Sequence, residues 1–417
     1  MLELRTPASP DQSKQQVMKR MVKASGSPKK SRALHQAIRL ATVLSLCIGV
    51  SGCAGLPKGV LTPVQATVPR ASQVNLLVAT TRAPASDPAV LFSGERGQGL
   101  HATEITVSIP PEENRQVGQV QWPKRLPPDP STEFATTKVR TLTDLGEVRG
   151  WLKQHLPRNR HVLIFVHGFN NRYEDAVYRF AQIVHDSHAD VAPILFTWPS
   201  RGNVLDYAYD RESTNYSRTQ LEEVLRRAAQ DPSVSDVTIM AHSMGSWLVT
   251  EALRQMAIRD GRVAPKIRNV ILASPDLDID VFRRQSQELG PSRPKLTLFV
   301  SQDDQALSVS RHIGGDIDRL GQINPATEPY RSELEKAGVT VLDLTALKSG
   351  DPLNHGKFAE SPEVVRVLGE RLVAGQTITD GKIGVGGRLG VVAAGAAQTV
   401  GSAASLAAQA PLTVFSH

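Results

Sequence analysis

After Leu156 the sequence alternates between short apolar runs and longer segments with helical spacing. The runs, rich in Val, Ile, Leu and Phe, occupy residues 162–166, 194–197, 237–240, 270–273, 296–300 and 339–344. Helical spacing is found at 173–185, 216–229, 246–258, 278–288 and 361–373. Near-continuous apolar strands that alternate with helices predict an α/β fold with a mostly parallel, doubly wound sheet. In such folds site residues lie just after the C-terminal ends of the strands, so these positions are the candidates for chemistry.

The composition divides the chain into segments around this main domain, which we place at 156–375. We assign residues 1–52 to a signal peptide, 53–73 to a flexible tether and 376–417 to a Gly/Ala-rich low-complexity tail. Residues 74–155 contain two strand-like runs and are predicted to extend the main sheet. The tail is expected to be a helix of small residues or disordered.

Positive charge is concentrated at the N-terminus. Residues 1–52 contain nine Lys and Arg against two acidic residues, so the formal net charge of +7 for the whole chain is located there. The rest of the chain carries 39 basic and 39 acidic residues. A formally neutral body gives no electrostatic support to nucleic-acid binding, so no nucleic-acid partner is expected.

The same N-terminal region has the features of a lipoprotein signal peptide. Its basic residues end at Arg39, residues 40–50 are apolar, and Val50-Ser51-Gly52-Cys53 resembles the lipobox of bacterial lipoprotein precursors. The apolar stretch is shorter than the roughly 20 residues that a transmembrane helix needs. The resemblance implies cleavage before Cys53, acylation of its thiol, and membrane anchoring in the bacterial cell envelope, facing the periplasm. An ordinary cleaved secretory signal is the alternative.

The run 237–240 leads directly into Ala241-His242-Ser243-Met244-Gly245, and a helical segment follows at once. A serine in a tight turn between a buried strand and a helix, with small residues two positions away on either side, is the nucleophile elbow of the G-x-S-x-G type. Small flanks are needed because the turn brings neighbouring backbone and side chains together. A serine followed by glycine also caps ordinary helices, so this segment alone does not decide.

Residues after the neighbouring strand complete an oxyanion site in this interpretation. His167, Gly168 and Phe169 follow the run 162–166. The glycine lets the backbone turn, so that the amide of Phe169, together with that of Met244, would hold an oxyanion. We expect His167 to brace this loop through hydrogen bonds rather than to exchange protons.

Later strands supply candidate acids and a base. Asp303 and Asp304 follow the run 296–300, and His355 lies in a Gly/Pro/Asn loop after 339–344. Asp304 is our choice for the acid that orients the imidazole, with Asp303 as helix cap or reserve acid and Asp276 as a second reserve. The chain order of Ser243, Asp304 and His355 is the order of α/β-hydrolase triads.

The segment after 194–197 contains the remaining candidates. Trp198 and Tyr207 are expected to line or cover a pocket, or else to anchor a solvated loop. Ser200 lies in the same segment but lacks the strand–turn–helix context of a nucleophile. The two cysteines, Cys47 and Cys53, give no metal-binding cluster, and we expect no metal and no cofactor.

Seven segments of the chain together resemble a bacterial α/β-hydrolase family of largely unassigned substrate. They are VLIFVHGFNN, FTWPSRG, DYAYDRESTNYS, IMAHSMG, ILASPDLDIDVF, VSQDDQAL and NHGKF, in this order between residues 155 and 375. The resemblance implies the α/β-hydrolase fold and a Ser243–Asp304–His355 triad, and it implies no substrate. Ala241 departs from the strict glycine pattern but is still small.

The sequence therefore predicts a lipid-anchored serine hydrolase, an esterase or lipase that acts on small-molecule or lipid esters through an acyl-enzyme. Thioesters and amides are attacked by the same apparatus. The alternative is a non-catalytic envelope lipoprotein that uses the hydrolase fold as a binding or scaffolding module.

Overall fold

The computed structural model describes residues 57–65 and 68–369, together with the backbone of 390–393 and 396–398. The predicted signal peptide, Cys53 and most of the tail lie outside the described residues. No helix in the described part of the chain is long and apolar enough to cross a membrane.

Strands and helices alternate from His161 onward, as the apolar runs predict. The strands are β1 (Ser72–Pro84), β2 (Phe92–Ile109), β3 (Ala135–Leu142), β4 (His161–Val166), β5 (Ala192–Thr197), β6 (Asp236–His242), β7 (Ile267–Ala273), β8 (Lys295–Val300), β9 (Thr340–Asp343), β10 (Gly390–Ala393) and β11 (Ala396–Gln398). The α-helices are α1 (Leu145–His155), α2 (Tyr173–Ser187), α3 (Tyr207–Gln230), α4 (Met244–Asp260), α5 (Ile279–Glu288), α6 (Gln305–Ile313), α7 (Tyr330–Lys336), α8 (Lys357–Glu360) and α9 (Pro362–Val367).

These strands form one sheet in the order β11-β10-β9-β8-β7-β6-β4-β5-β1-β2-β3. The pairs from β9 through β8, β7, β6, β4 and β5 to β1 are parallel, and the outer pairs on both sides are antiparallel. Because β4, β6, β7 and β8 are parallel, their C-terminal ends lie along one edge of the sheet. The winding of the sheet reverses at β6, since β7 lies on one side of it and β4 and β5, which precede it in the chain, lie on the other.

Helices cover both faces of the sheet. Along β4, Val162, Ile164 and Val166 belong to the core beneath α1, α3 and α4, whereas Leu163 and Phe165 belong to the core beneath α2. All five side chains are at most 1% exposed. Because successive strand residues point to opposite faces, a continuous apolar run is what a strand covered on both sides requires. The α/β-hydrolase type of architecture that the sequence predicts is confirmed.

Three segments differ from expectation. Strand β3 was not predicted, because its alternating Thr, Lys and Arg residues suit an edge strand with no continuous apolar run. Within the predicted tether, Val60 and Leu61 are buried at 1% exposure, and Tyr178 Oη donates to the Val60 carbonyl (2.8 Å). That part of the segment is packed onto the domain and is not a free linker.

The tail also contains structure that its composition does not indicate. Its strands β10 and β11 pair antiparallel, and β10 adds to the edge strand β9. The expectation of helix or disorder is wrong for these residues. An open sheet edge offers unpaired N–H and C=O groups, so main-chain pairing rather than side-chain pattern accounts for these two strands.

Candidate active site

Ser243 is the turn residue between β6 and α4, and its backbone is strained. Its φ of 53° and ψ of −124° lie outside the backbone regions that residues other than glycine normally adopt. The turn is held by backbone hydrogen bonds, since Ser243 N–H donates to Ala273 O (2.9 Å) and Asp276 N–H donates to Ser243 O (3.2 Å). The residue is 4% exposed. A conformation that costs about 1–3 kcal/mol persists only where the surroundings enforce it, and such residues cluster at active sites.

Two glycines make the turn sterically possible. A Cβ added to Gly168 would lie 2.8 Å from Ser243 Cβ, and one added to Gly245 would collide with the His167 carbonyl. Real Cβ atoms do not approach other atoms so closely. The small residues of the HGF and HSMG segments are therefore required by the contact between the β4 loop and the turn after β6.

Asp304 is the N-cap residue that precedes helix α6, and its fully buried carboxylate contacts two partners. Its Oδ1 accepts from Leu307 N–H (3.0 Å), which caps the helix, and its Oδ2 lies 2.7 Å from His355 Nδ1. A carboxylate facing Nδ1 keeps the imidazole proton on that nitrogen. Nε2 of His355 is then the nitrogen with a free lone pair.

The His355 loop is fixed by a second carboxylate. Asp351 Oδ2 accepts from the backbone N–H groups of His355 (2.7 Å) and Gly356 (2.9 Å). Burial lowers the pKa of His355, but the Asp304 carboxylate, with smaller contributions from Asp351 and Asp276, outweighs it and raises the pKa above its ordinary value.

Ser243 and His355 are neighbours at the same sheet edge. The His242 ring, adjacent to Ser243 in the chain, lies 4.6 Å from the His355 ring, and Ser274 Oγ donates to the His355 carbonyl (3.3 Å). Among the described residues no hydrogen bond joins the Ser243 hydroxyl to His355. Such bonds are often long in unliganded enzymes and tighten when substrate binds. Burial and the nearby His355 hold the pKa of His242 well below its usual value.

The two reserve acids have other partners. Asp303 pairs with Lys357 Nζ (2.7 and 2.9 Å), a fully buried ammonium, and does not cap α6. Asp276 accepts from Tyr207 Oη (3.0 Å) and from Ser310 Oγ. The sequence offered Asp303 as the cap of α6. In the structure Asp304 caps this helix and also contacts the imidazole.

The loop after β4 presents the Phe169 amide. Asn170 N–H donates to Asp210 Oδ2 (3.3 Å), Asn171 N–H donates to Ser200 Oγ (3.0 Å), and the Asn171 side chain donates to the Phe169 carbonyl (2.8 Å). The Phe169 N–H donates no hydrogen bond to any group in the described part of the chain. Met244 is the first residue of α4, so its N–H has no intrahelical partner either. Both amides are available to a ligand.

His167 and Trp198 support this loop from within the core. Their rings stack at 4.8 Å, His167 Nδ1 donates to Gly168 O (2.8 Å), and Nε2 accepts from Trp198 N–H (3.2 Å). Burial, with help from the Arg82 charge, lowers the pKa of His167 to about 3, so the ring is neutral. Trp198 is completely buried, as an aromatic anchor of the partly exposed segment that follows it would be, and does not line an open pocket. Tyr207 does reach the site, edge-on to Phe169 at 5.2 Å.

Arg82, at the end of β1, is a site residue that the sequence analysis missed. It is fully buried, and its guanidinium donates to Ser200 O (2.8 Å) and Asn171 O (2.7 Å). Burial lowers its pKa to about 10, opposed by nearby carboxylates of Glu174 and Asp210, so it stays charged at neutral pH. A single arginine at the end of the otherwise uncharged run VNLLVATTR was the available signal.

Two open clefts on the described surface lie away from this chemistry. One, of about 510 Å³, is lined by residues of α1, α3 and the outer sheet, and the other, of about 450 Å³, by residues of α5 and α7. Neither is lined by Ser243, Asp304 or His355. We place the candidate site by its strained serine and its carboxylate–imidazole pair rather than by cavity size. The described residues contain no group of three or more His, Cys, Asp or Glu side chains that could hold a metal ion.

The match to a family model agrees with this architecture. A family model described as "Alpha/beta hydrolase of unknown function (DUF900)" matches residues 145–371, more than half of the chain. An uncharacterized protein, alr1448, from Nostoc sp. (strain PCC 7120) is 26% identical over 122 residues, which cover 23% of this chain and 32% of the relative. The chain thus spans about a third of the length of this curated relative.

A solved structure, the siderophore hydrolase EstB from Aspergillus nidulans, matches with 14% identity and a TM-score of 0.24. The match covers 66% of this chain and 80% of that one. A likeness at this TM-score carries no argument about function. The family match, which spans the strands and helices around Ser243, identifies the chain as a member of the alpha/beta hydrolases of unknown function (DUF900).

Proposed function

We propose that this protein is a serine hydrolase that cleaves carboxylic esters, with Ser243 as nucleophile, His355 as general base and Asp304 as orienting acid. One observation carries the proposal: a buried carboxylate holds His355 by Nδ1 (2.7 Å) next to a serine with a φ of 53°. A scaffold has no need of a strained serine or of a buried carboxylate–imidazole pair.

In this mechanism His355 Nε2 takes the Ser243 hydroxyl proton as Oγ attacks the acyl carbon. The carbonyl oxygen becomes an oxyanion, which the amides of Phe169 and Met244 stabilise. Asp304 stabilises the imidazolium, which then gives its proton to the departing alkoxide and releases the alcohol. Water, deprotonated by the same imidazole, attacks the acyl-enzyme, and the acid leaves with Ser243 restored.

The proposal includes a lipid anchor on Cys53 that holds the enzyme in the cell envelope, facing the periplasm. Its support is the sequence Val50-Ser51-Gly52-Cys53 after an apolar stretch. Two or three acyl chains give firm attachment, whereas one is marginal. We expect wild-type protein to incorporate labelled palmitate and Cys53→Ser not to. A wild-type protein that takes up no label, or a variant that takes up as much, would refute this part of the proposal and leave the chemistry untouched.

A fluorophosphonate probe followed by an acyl-chain series of p-nitrophenyl esters tests the chemistry. We expect the probe to label wild-type protein and Ser246→Ala, which changes a buried serine in the first turn of α4, but not Ser243→Ala. Preference for long acyl chains would indicate a lipase and preference for short chains an esterase. A folded wild-type protein that neither reacts with the probe nor hydrolyses esters would favour the non-catalytic scaffold.

A further inference from the structure

The loop that carries the Phe169 amide is held by side chains from three other elements. Asp210 of α3 binds the N–H of Asn170, and Ser200, after β5, binds the N–H of Asn171. Arg82 of β1 binds the carbonyl of Asn171. The loop has little regular structure of its own, so these bonds decide where the Phe169 N–H lies, which donates to no group among the described residues.

Arg82 joins the two loops that meet at the site. Nη1 donates to Ser200 O (2.8 Å) and to Ser93 O (3.2 Å), while Nη2 donates to Asn171 O (2.7 Å) and lies 3.4 Å from His167 Nε2. A planar guanidinium can donate in several fixed directions at once, which an ammonium group cannot reproduce. The arginine therefore sets the separation of the β4 and β5 loops.

Burying a charge at this position is costly, and the surroundings only partly offset the cost. Arg82 is fully buried, and its Nε has no hydrogen-bond partner among the described residues. The buried Asp210 carboxylate does not bind Arg82 directly; it accepts from Ser200 Oγ and from Arg201 N–H (3.1 Å). An apolar side chain would fill the space without this penalty, so the hydrogen bonds to the loops are the reason for an arginine here.

We propose that Arg82 is a positioning residue, whose guanidinium, together with Ser200 and Asp210, holds the Phe169 amide where the oxyanion forms. This inference rests on the proposed function, since it assigns a role within the same hydrolysis. Arg82 does not touch the reacting atoms. It acts through the Asn171 carbonyl, two residues from the amide that does.

The test compares Arg82→Lys with a matched control, Arg115→Lys. Arg115 is another buried arginine, with its side chain 1% exposed and paired with Asp186 at the far end of α2. Both variants lose a buried guanidinium and are expected to be less stable. Only Arg82→Lys is expected to lower kcat, by about 10- to 100-fold with KM within about 2-fold, because loss of one oxyanion donor costs about 10²–10³ in kcat.

A trifluoromethyl ketone matched to the best ester separates positioning from general destabilisation. Its adduct with Ser243 places an oxyanion in the hole, so the Ki for the ketone is expected to rise in proportion to the loss in kcat/KM. A merely structural role would lower the melting temperature and leave the Ki of the folded enzyme unchanged. A folded Arg82→Lys with wild-type kcat and Ki overturns the inference.

Ser200→Ala is the second variant, for the case that Arg82→Lys does not fold. It removes the acceptor of Asn171 N–H and is expected to lower kcat and raise the ketone Ki in the same ratio; wild-type values for both overturn the inference. Where both variants fold, their combination is expected to cost less than the product of the single losses, because both act through one loop. Wild-type protein without Ser243-dependent hydrolysis would refute the proposed function itself, a result distinct from wild-type kinetics in these variants.

Discussion

His355 Nδ1 lies 2.7 Å from Asp304 Oδ2, whereas the adjacent Asp303 turns away to Lys357. Two neighbouring aspartates of one sequence motif therefore have different partners. Asp304 is completely buried and bonded to both the helix and the imidazole, and Asp303 forms an ion pair at the edge of the site. This division makes the pair a natural internal control.

We expect Asp304→Asn to lower kcat by about 10³-fold or more, because the amide no longer favours the imidazole tautomer with the proton on Nδ1. Asn still offers an oxygen to Leu307 N–H, so the helix cap is kept. Asp303→Asn weakens the ion pair with the buried Lys357 and is expected to reduce stability while kcat changes by less than about 3-fold. Steady-state kinetics and thermal melts of both variants check this, and equal losses of kcat would contradict it.

The pH profile of kcat/KM follows from the raised pKa of His355. A general base must be neutral, so activity is expected to rise with pH and to level off only above the imidazole pKa, which lies above the ordinary 6.5. The folded protein favours the protonated imidazole, and this contribution to stability is lost as pH rises through that pKa. In Asp304→Asn the midpoint of the residual activity is expected to move to lower pH. A midpoint that stays in place would show that another group controls the profile.

The strain at Ser243 predicts a trade between stability and activity. Glycine adopts a φ of 53° and a ψ of −124° at little cost, whereas alanine retains the strain. Ser243→Gly is expected to be more stable than Ser243→Ala by about 1–2 kcal/mol, and both are expected to be inactive. Urea denaturation of the two variants measures the difference. If the alanine variant is the more stable one, the turn is not strained as described.

Contact between the β4 loop and the serine turn predicts the effect of one methyl group. A Cβ at Gly168 would lie 2.8 Å from Ser243 Cβ, so Gly168→Ala is expected to lower kcat at least about 10-fold by displacing the turn or the loop. Gly150, within α1, has open space where its Cβ would be. Gly150→Ala is expected to raise stability by about 0.5–1 kcal/mol without affecting kcat. Wild-type kinetics in Gly168→Ala would contradict the close packing.

The neutral, buried His167 predicts acid sensitivity. Its pKa is about 3 in the folded protein and about 6.5 when unfolded, so the unfolded state binds the proton first and stability is lost as pH falls from about 6.5 to about 3. One such group costs about 2 kcal/mol between pH 7 and pH 5. His167→Gln is expected to be less stable at pH 7 but to lose less on acidification. Urea denaturation of both proteins at pH 7 and pH 5 decides this, and equal losses would mean that other groups dominate.

Several features were predictable from the sequence because they are encoded locally. The apolar runs at 162–166 and 237–240 form β4 and β6, because a strand that is covered on both faces needs apolar side chains at consecutive positions. The turn at Ser243 and its small neighbours are likewise a local pattern. The strand order then brought Asp304 and His355 to the edge at which Ser243 lies.

Other features depend on partners far apart in the chain. Arg82 meets Asn171 and Ser200 across 89 and 118 positions, and no spacing rule relates these residues. Strand β3 and the packing of Val60 and Leu61 onto the domain were missed for the same reason. Each depends on which neighbour covers a surface, which propensity does not report.

The sequence by itself determined which segments of the main domain alternate as strands and helices, the serine turn and the set of candidate acids and imidazoles, because chain order and local pattern carry that information. Only the tertiary structure decided that Asp304 also caps α6 while Asp303 pairs with Lys357, and that Arg82 ties the loops around Phe169. The physical reason is that hydrogen bonds are directional and short in range. A shift of one residue along a turn changes the partner of a carboxylate, and only packing sets that position.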